Sequence, residues 1–181
     1  MIGVILANGN EEIESITIID ILRRAGVEVK SFSLEKNLLV TGAHDIIMQA
    51  DEYLENLDCQ LLSGIVLPGG MPGAKFIAEN ENLKNIVIDM NKSKKLICAI
   101  CAAPIALSKW GLLQDKNITC YPGFESYFKD ANLKDAGVVK FENVITAKGP
   151  SYALEFTLDI AEHIKGKDIV MKLKKDLLIG V

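Results

Sequence analysis

Lys94-Lys95-Leu96-Ile97-Cys98-Ala99-Ile100-Cys101-Ala102-Ala103-Pro104 is the stretch on which the reading of this chain turns. Two lysines precede an apolar run of strand length, a cysteine follows among small residues, and Pro104-Ile105-Ala106-Leu107 reads as the start of a helix. A strand that turns sharply into a helix sets the side chain at the turn on the carboxyl edge of a buried sheet, with its tip accessible. A cysteine there lies beside backbone N–H groups at a helix start, whose partial positive charge favours the thiolate. Cys101 is therefore the candidate nucleophile. Ala99 and Ala103, two residues to either side, mimic the glycines of a Gly-x-Ser-x-Gly elbow, where tight backbone tolerates little bulk. The competing reading is inert packing, because free cysteine is among the most buried residue types.

Working outward, the chain alternates strands and helices. Ile2 to Ala7 reads as a buried strand, Asn8-Gly9-Asn10 as a turn, and Glu11-Glu12-Ile13-Glu14 as a helix start whose acidic residues suit the dipole. Ile13, Ile16, Ile19 and Leu22 are expected to form that helix's apolar face, and Arg23-Arg24 before Gly26 to end it. Val27 to Leu34 then alternates as a second strand, completing a βαβ unit and implying a parallel sheet. Strand fragments or a hairpin are expected in Leu38 to Met48, and a helix in Asp51 to Leu62. Gly64 to Leu67 is a short buried strand running into Pro68-Gly69-Gly70-Met71-Pro72-Gly73, where backbone N–H groups can turn toward a site. Phe76 to Asn91 reads as a helix broken near Asn80 and Asn82. After the elbow come a helix to Trp110, a short strand at Asn117 to Cys120, and paired β segments at Val138 to Phe141 and Asn143 to Ala147. Helices follow at Ser151 to Ile164 and from Asp168 to Lys175. With no repeat or linker, residues 1–181 are expected to form one α/β sandwich domain.

Composition excludes several classes. A hydrophobic share of 49% and charged share of 24% are ordinary for a globular protein. A net charge of −4 gives no electrostatic footprint for nucleic acid or an anionic membrane. No apolar run reaches the roughly 18–20 residues of a spanning helix. The start lacks a signal peptide's basic region and cleavage site, so a cytoplasmic location is expected. The four cysteines, Cys59, Cys98, Cys101 and Cys120, do not resemble a disulfide framework. Cys98 and Cys101 have metal-like spacing but no second pair, so no metal is expected.

Glu14 is the candidate partner of Cys101. A glutamate in a first helical turn is ordinarily a solvated dipole partner, and Glu11 and Glu12 are read so. The exit of the first strand, however, lies on the same sheet edge as the elbow. Desolvation there would raise the pKa of Glu14 and let it exchange a proton with the sulfur. Cys98 falls within the strand and reads as core, while Cys59, near a helix end, and Cys120, ending a strand, read as structural rather than catalytic. The two histidines, His44 and His163, occupy no obvious position for a Cys-His dyad.

Leu6-Ala7-Asn8-Gly9-Asn10-Glu11-Glu12-Ile13-Glu14, Leu67-Pro68-Gly69-Gly70, Ala99-Ile100-Cys101-Ala102-Ala103-Pro104 and Lys148-Gly149-Pro150 with Glu155-Phe156 occur in this order. Together they resemble the ThiJ/PfpI superfamily, in the branch of the Parkinson-disease protein deglycase and its bacterial relatives. The resemblance implies a flavodoxin-like three-layer α/β sandwich with a mostly parallel sheet and a nucleophile elbow, usually a homodimer. It implies that Cys101 is the reactive cysteine, that Glu14 hydrogen-bonds its sulfur, and that the N–H groups of Gly70 and Ala102 serve as oxyanion-type donors. The implied activity is glyoxalase or deglycase chemistry on a small aldehyde or glycated adduct, without glutathione or any cofactor, alongside oxidative-stress sensing through cysteine oxidation. Tyr121 departs from the pattern by standing where the family often has a histidine before the proline. A phenol is a poor base at neutral pH, which weakens an amidohydrolase or peptidase reading more than a glyoxalase one. His44 stands where many relatives have an arginine near the pocket.

Overall fold

The computed structural model describes residues 1–180. Five short parallel segments set the frame: β1 (Ile2–Leu6), β2 (Val29–Ser33), β6 (Gly64–Leu67), β7 (Leu96–Ile100) and β11 (Val144–Ala147). With β5 (Glu52–Tyr53) and β10 (Val138–Phe141) they build a seven-stranded sheet in the order β10-β11-β7-β6-β1-β2-β5. Only the β10–β11 pair is antiparallel. Their inner residues are buried on both faces, as parallel strands covered by helices require.

Alternation along the strands feeds two separate layers. Val4, Leu6, Val66, Cys98 and Ile100 pack with α1 (Glu12–Arg24), α5 (Ala153–Lys165) and α6 (Lys167–Asp176) through Ile18, Leu22, Phe156, Ile160 and Leu173. Ile5, Ile65, Leu67, Ile97 and Ala99 pack with α2 (Gly73–Glu79), α3 (Glu81–Lys92) and α4 (Pro104–Lys109) through Ile77, Leu83, Val87, Leu107 and Trp110. The three-layer α/β sandwich expected from the sequence is the observed fold. The break expected near Asn80 is also present: its side chain accepts from Leu83 N at 2.8 Å and caps α3. Among the described residues, no helix is long and apolar enough to cross a membrane.

Two helical expectations fail. On α1 the buried side chains are Glu12, Glu14, Ser15, Ile18, Ile21 and Leu22, while Ile13 and Ile16 are 59% and 51% exposed. The helix is turned so that its acidic first turn faces inward. Asp51 to Leu62 is also not a helix. It holds the edge strand β5, a single 3₁₀ turn at Leu54–Asn56, and loop. Leu54 and Leu57 match helical spacing for only one turn.

The hairpin of β3 (Leu39–Thr41) and β4 (Ile47–Gln49) lies over the β1–α1 loop. Gly9 N donates to Thr41 O at 2.8 Å, and Ala43 N donates to Asn10 O at 2.8 Å. Glu12, read as solvated, instead clasps this hairpin: its carboxylate accepts from His44 N at 2.7 Å and pairs with His44 Nδ1 at 2.9 Å. Burial pushes the Glu12 pKa up, but the bonds from His44 outweigh it and hold the group below its ordinary range. His44 is pushed up, first by its bond to Glu12 and then by the charge of Glu11. Removing the carboxylate in Glu12→Ala is expected to destabilise the protein by about 1.5–3 kcal/mol. Amide exchange at His44 and Ile46 should accelerate before that at Val40, and unchanged exchange there would refute the clasp.

Candidate active site

The parallel register brings three chain segments together at the carboxyl edge of the sheet. Val66 and Leu67 of β6 pair with Cys98 and Ala99 of β7, and Val4 of β1 pairs with Val66. From β1 the chain moves to β2 on one side and later to β6 on the other, so the loops after β1 and β6 diverge around a crevice. Glu14 enters that crevice from α1, Gly69 and Gly70 enter from the β6 loop, and Cys101 follows β7.

Cys101 adopts φ 63°, a conformation that L-residues seldom hold. Its backbone N–H donates to Ala147 O at 2.9 Å and its carbonyl accepts from Tyr121 N at 3.0 Å, so neighbours on both sides fix the strained turn. The backbone N–H groups of Gly70 and Ala102 both point at its sulfur. Gly70 lies at φ +85°, and a side chain there would collide with the backbone of Asn10 and Glu11. Its left-handed geometry is what turns the N–H toward the thiol.

Glu14 is fully buried. Oε2 accepts from Gly69 N at 2.7 Å, while Oε1 finds no nitrogen or oxygen donor among the described residues. The Cys101 sulfhydryl hydrogen-bonds the same carboxyl group. Burial is the main force raising the Glu14 pKa, to about 7, against the lowering effect of the Gly69 and Cys101 bonds. The thiol moves the other way from the expectation. Burial and the Glu14 charge push Cys101 up to about 12, and the N–H groups of Gly70 and Ala102 only partly offset them. The α4 helix is six residues long and does not outweigh a carboxylate beside the sulfur. The pair therefore accommodates one negative charge in the crevice, with a proton held between carboxyl and sulfur.

Tyr121 reaches the site by its backbone. Its ring is 43% exposed, lies against Gly149, and meets Phe124 edge-on with centroids 6.3 Å apart. Its hydroxyl makes no hydrogen bond among the described residues. Neither histidine reaches Cys101: His44 is held by Glu12, and His163 borders a cleft with Lys94 and Asn143 at the opposite edge of the sheet. Cys98 is wholly enclosed with its pKa raised by burial, and Cys120 is 5% exposed with its thiol pushed up to about 11, mainly by burial. Glu11, Glu12 and His44 gather three possible metal-ligand atoms, but each is already engaged as helix cap or clasp.

Two residues have supporting roles that the sequence did not assign to them. Asn10 is fully buried: its Oδ1 accepts from Ala7 N at 2.6 Å and its Nδ2 donates to Gly69 O at 2.8 Å, joining the β1 and β6 loops. Gly69 supplies the N–H that fixes Glu14. The signal for both was their place in turns at strand ends, which sequence alone does not tell from ordinary loop chemistry.

The chain and its fold match those of known proteins. The profile of the DJ-1/PfpI family matches residues 1–163. Protein dj-1beta of Drosophila melanogaster is 36% identical over 179 residues, covering 98% of this chain and 96% of that protein. Its crystal structure superposes with a TM-score of 0.96 over 99% of this chain and 98% of that one. The structure of oxidized Toxoplasma gondii DJ-1 gives a TM-score of 0.95 at 34% identity, covering 99% and 98% of the two chains. A Caenorhabditis elegans protein named glutathione-independent glyoxalase DJR-1.2 is 33% identical, covering 94% of this chain and 91% of its own length. An elbow cysteine, a buried glutamate from the first helix and a family profile spanning nearly the whole chain lead to one statement: this chain belongs to the DJ-1/PfpI family.

Proposed function

We propose that this protein is a cofactor-independent glyoxalase or deglycase acting on 2-oxoaldehydes such as methylglyoxal, with Cys101 as nucleophile and Glu14 as acid and base. The observation that carries the reading is the buried Glu14–Cys101 pair, with a carboxyl pKa raised to about 7 and two N–H groups directed at the sulfur. A general acid–base group works best with its pKa near the operating pH. The name of the C. elegans relative supports the substrate class.

The steps balance without a metal or redox partner. The Glu14 carboxylate takes the thiol proton as sulfur bonds to the aldehyde carbon, and the N–H groups of Gly70 and Ala102 hold the resulting alkoxide. Glu14 returns its proton to that oxygen, giving a hemithioacetal. The carboxylate next removes the hydrogen on the former aldehyde carbon as the electron pair moves to the neighbouring ketone oxygen, forming an enediolate; the proton is delivered to the adjacent carbon and the hydroxyl proton passes from the first oxygen to the second, leaving a thioester of the 2-hydroxy acid. Water hydrolyses the thioester and restores the thiol. A raised thiol pKa suits this sequence, because the sulfur is deprotonated only as it attacks.

Lactate formation from methylglyoxal by the wild type, lost in Cys101→Ser, is the expected result. Turnover that survives Cys101→Ser overturns the proposal. A glycated peptide assayed beside methylglyoxal separates deglycase from glyoxalase activity.

A second reading is a redox sensor, in which peroxide oxidises Cys101 to a sulfinate held by protonated Glu14. It is favoured by the Glu14 pKa of about 7, which leaves a proton available for a sulfinate oxygen. Intact mass after peroxide treatment tests it: two oxygens gained at Cys101, with negligible aldehyde turnover, would replace the first reading. Hydrolysis of amides is disfavoured by the distance of both histidines from the sulfur.

The protein is also proposed to act as a homodimer through α1 and the β3–β4 hairpin. Ile13, Ile16, Ile46 and Ile47 are all more than half exposed there, and Glu12 ties the two elements together. Sedimentation of wild type against Ile16→Asp tests this, with a shift toward monomer expected.

A further inference from the structure

Beside the site, on the other face of the sheet from α1, a groove of about 320 Å³ runs between α2 and α4. Met71, Ile105, Phe124 and Tyr127 form its apolar walls, and Lys75, Glu79 and Lys109 stand along it. Two of its wall residues adjoin the residues that flank the Cys101 sulfur. Met71 follows Gly70, one of the two residues whose N–H faces that sulfur, and Ile105 N donates to the carbonyl of Ala102, the other. An aromatic run leads the same way. Tyr121 donates its backbone N–H to Cys101 O at 3.0 Å, its ring meets Phe124 at 6.3 Å, and Phe124 meets Tyr127 at 6.1 Å.

The groove's size is the second consideration. Its volume equals that of about ten waters in the liquid, which is more than a three-carbon aldehyde bound at the sulfur occupies. It falls instead at the lower bound of pockets that enclose drug-sized ligands, roughly 300–1,000 Å³. Two of its four apolar wall residues are also open for their size: Met71 is 47% exposed and Tyr127 is 57% exposed. Such a concentration of exposed apolar surface beside reactive chemistry marks a binding site.

We propose that this groove is a subsite for an aromatic substituent on the carbonyl substrate, so that arylglyoxals are handled in preference to methylglyoxal. The proposal rests on the glyoxalase reading for its chemistry but not for its binding. The carbonyl carbons sit at Cys101, between the Gly70 and Ala102 N–H groups. The ring enters between Met71 and Ile105 and lies against Phe124, with Tyr127 closing its outer side.

Two measurements test it. The first is kcat/KM for phenylglyoxal and methylglyoxal in wild type and Tyr127→Ala. Wild type is expected to favour phenylglyoxal by at least about tenfold, the scale on which apolar pockets discriminate, and Tyr127→Ala to reduce that ratio by at least threefold. The second uses acetophenone, which carries the ring without the aldehyde, titrated into ¹⁵N-labelled protein. Shifts concentrated at Met71, Ile105, Phe124 and Tyr127 are expected. Shifts elsewhere, or none, overturn the subsite, as does a wild-type ratio near one. If neither aldehyde is turned over but acetophenone still shifts the groove amides, the glyoxalase reading falls and the aromatic subsite stands.

Discussion

Glu14→Gln is expected to lower turnover of a 2-oxoaldehyde by about 10²–10⁴-fold and, in the same protein, to raise stability at alkaline pH. The two effects share a cause. Burial raises the Glu14 pKa from 4.5 to about 7, so the fold prefers this group protonated. A carboxyl raised in the folded state contributes stability that is fully present below pH 4.5 and is lost as pH rises through about 7. Above that, the native protein carries a buried charge, at a cost of roughly 3 kcal/mol. Glutamine keeps an oxygen for Gly69 N–H and offers an amide N–H to the sulfur, but it never ionises. At pH 8 the variant's Tm is expected to exceed the wild type's by roughly 6–12 °C, and the difference should vanish below pH 4.5. Thermal melts at the two pH values decide the matter. A variant less stable than wild type at both would show that the carboxylate is held by favourable bonds and not merely tolerated.

Gly69→Ala is the second large effect. A Cβ at this position would lie 2.5 Å from Cys101 Cβ, 2.8 Å from Glu14 Oε2 and 2.8 Å from Ile100 O; the first and last cannot swing aside, and the carboxyl is buried and bonded to Gly69 N. Either Cys101 or the Glu14 carboxyl must move. Overpacking of this kind costs about 1–3 kcal/mol, and an ångström of misplacement at reacting atoms costs about 10²-fold in rate. Gly26→Ala supplies the control. It strains a left-handed position at φ +68° with open space around it, far from the crevice, and costs about 1–2 kcal/mol. Comparable Tm losses with turnover reduced only in Gly69→Ala are expected. Equal turnover in both would show that the close approach at Gly69 concerns packing alone.

The frame of the fold was legible because buried parallel strands leave a plain signature. Ile2 to Leu6, Gly64 to Leu67 and Leu96 to Ile100 are short apolar runs that end in turn residues, and all three are strands. The hairpin was visible only as fragments, since Val40 and Met48 are the only buried members of three-residue strands. The α1 face was misread for a physical reason. Apolar residues occur on both sides of the helix, and the inward side begins with Glu12, Glu14 and Ser15, because that end of the helix meets polar loops and not core. Asp51 to Leu62 failed because a two-residue edge strand and one 3₁₀ turn carry too few positions to show a period. In the site, the positions of Cys101 and Glu14 were readable from the elbow and the first helical turn. The thiol's raised pKa was not, since it depends on where the carboxyl lies in space.

Four consecutive residues at the start of α1 point in four directions. Glu11 caps the helix by accepting from Ile13 N, Glu12 clasps the hairpin, Ile13 faces outward, and Glu14 enters the crevice. Successive helical positions are rotated by about 100°. Inserting one residue between Asn10 and Glu11 would therefore exchange these assignments wholesale, carrying Ile13 toward the sulfur and Glu12 out to solvent. The composition would barely change, yet clasp, crevice and outward face would all be lost together. For this loop, chain length is as strict a requirement as residue identity.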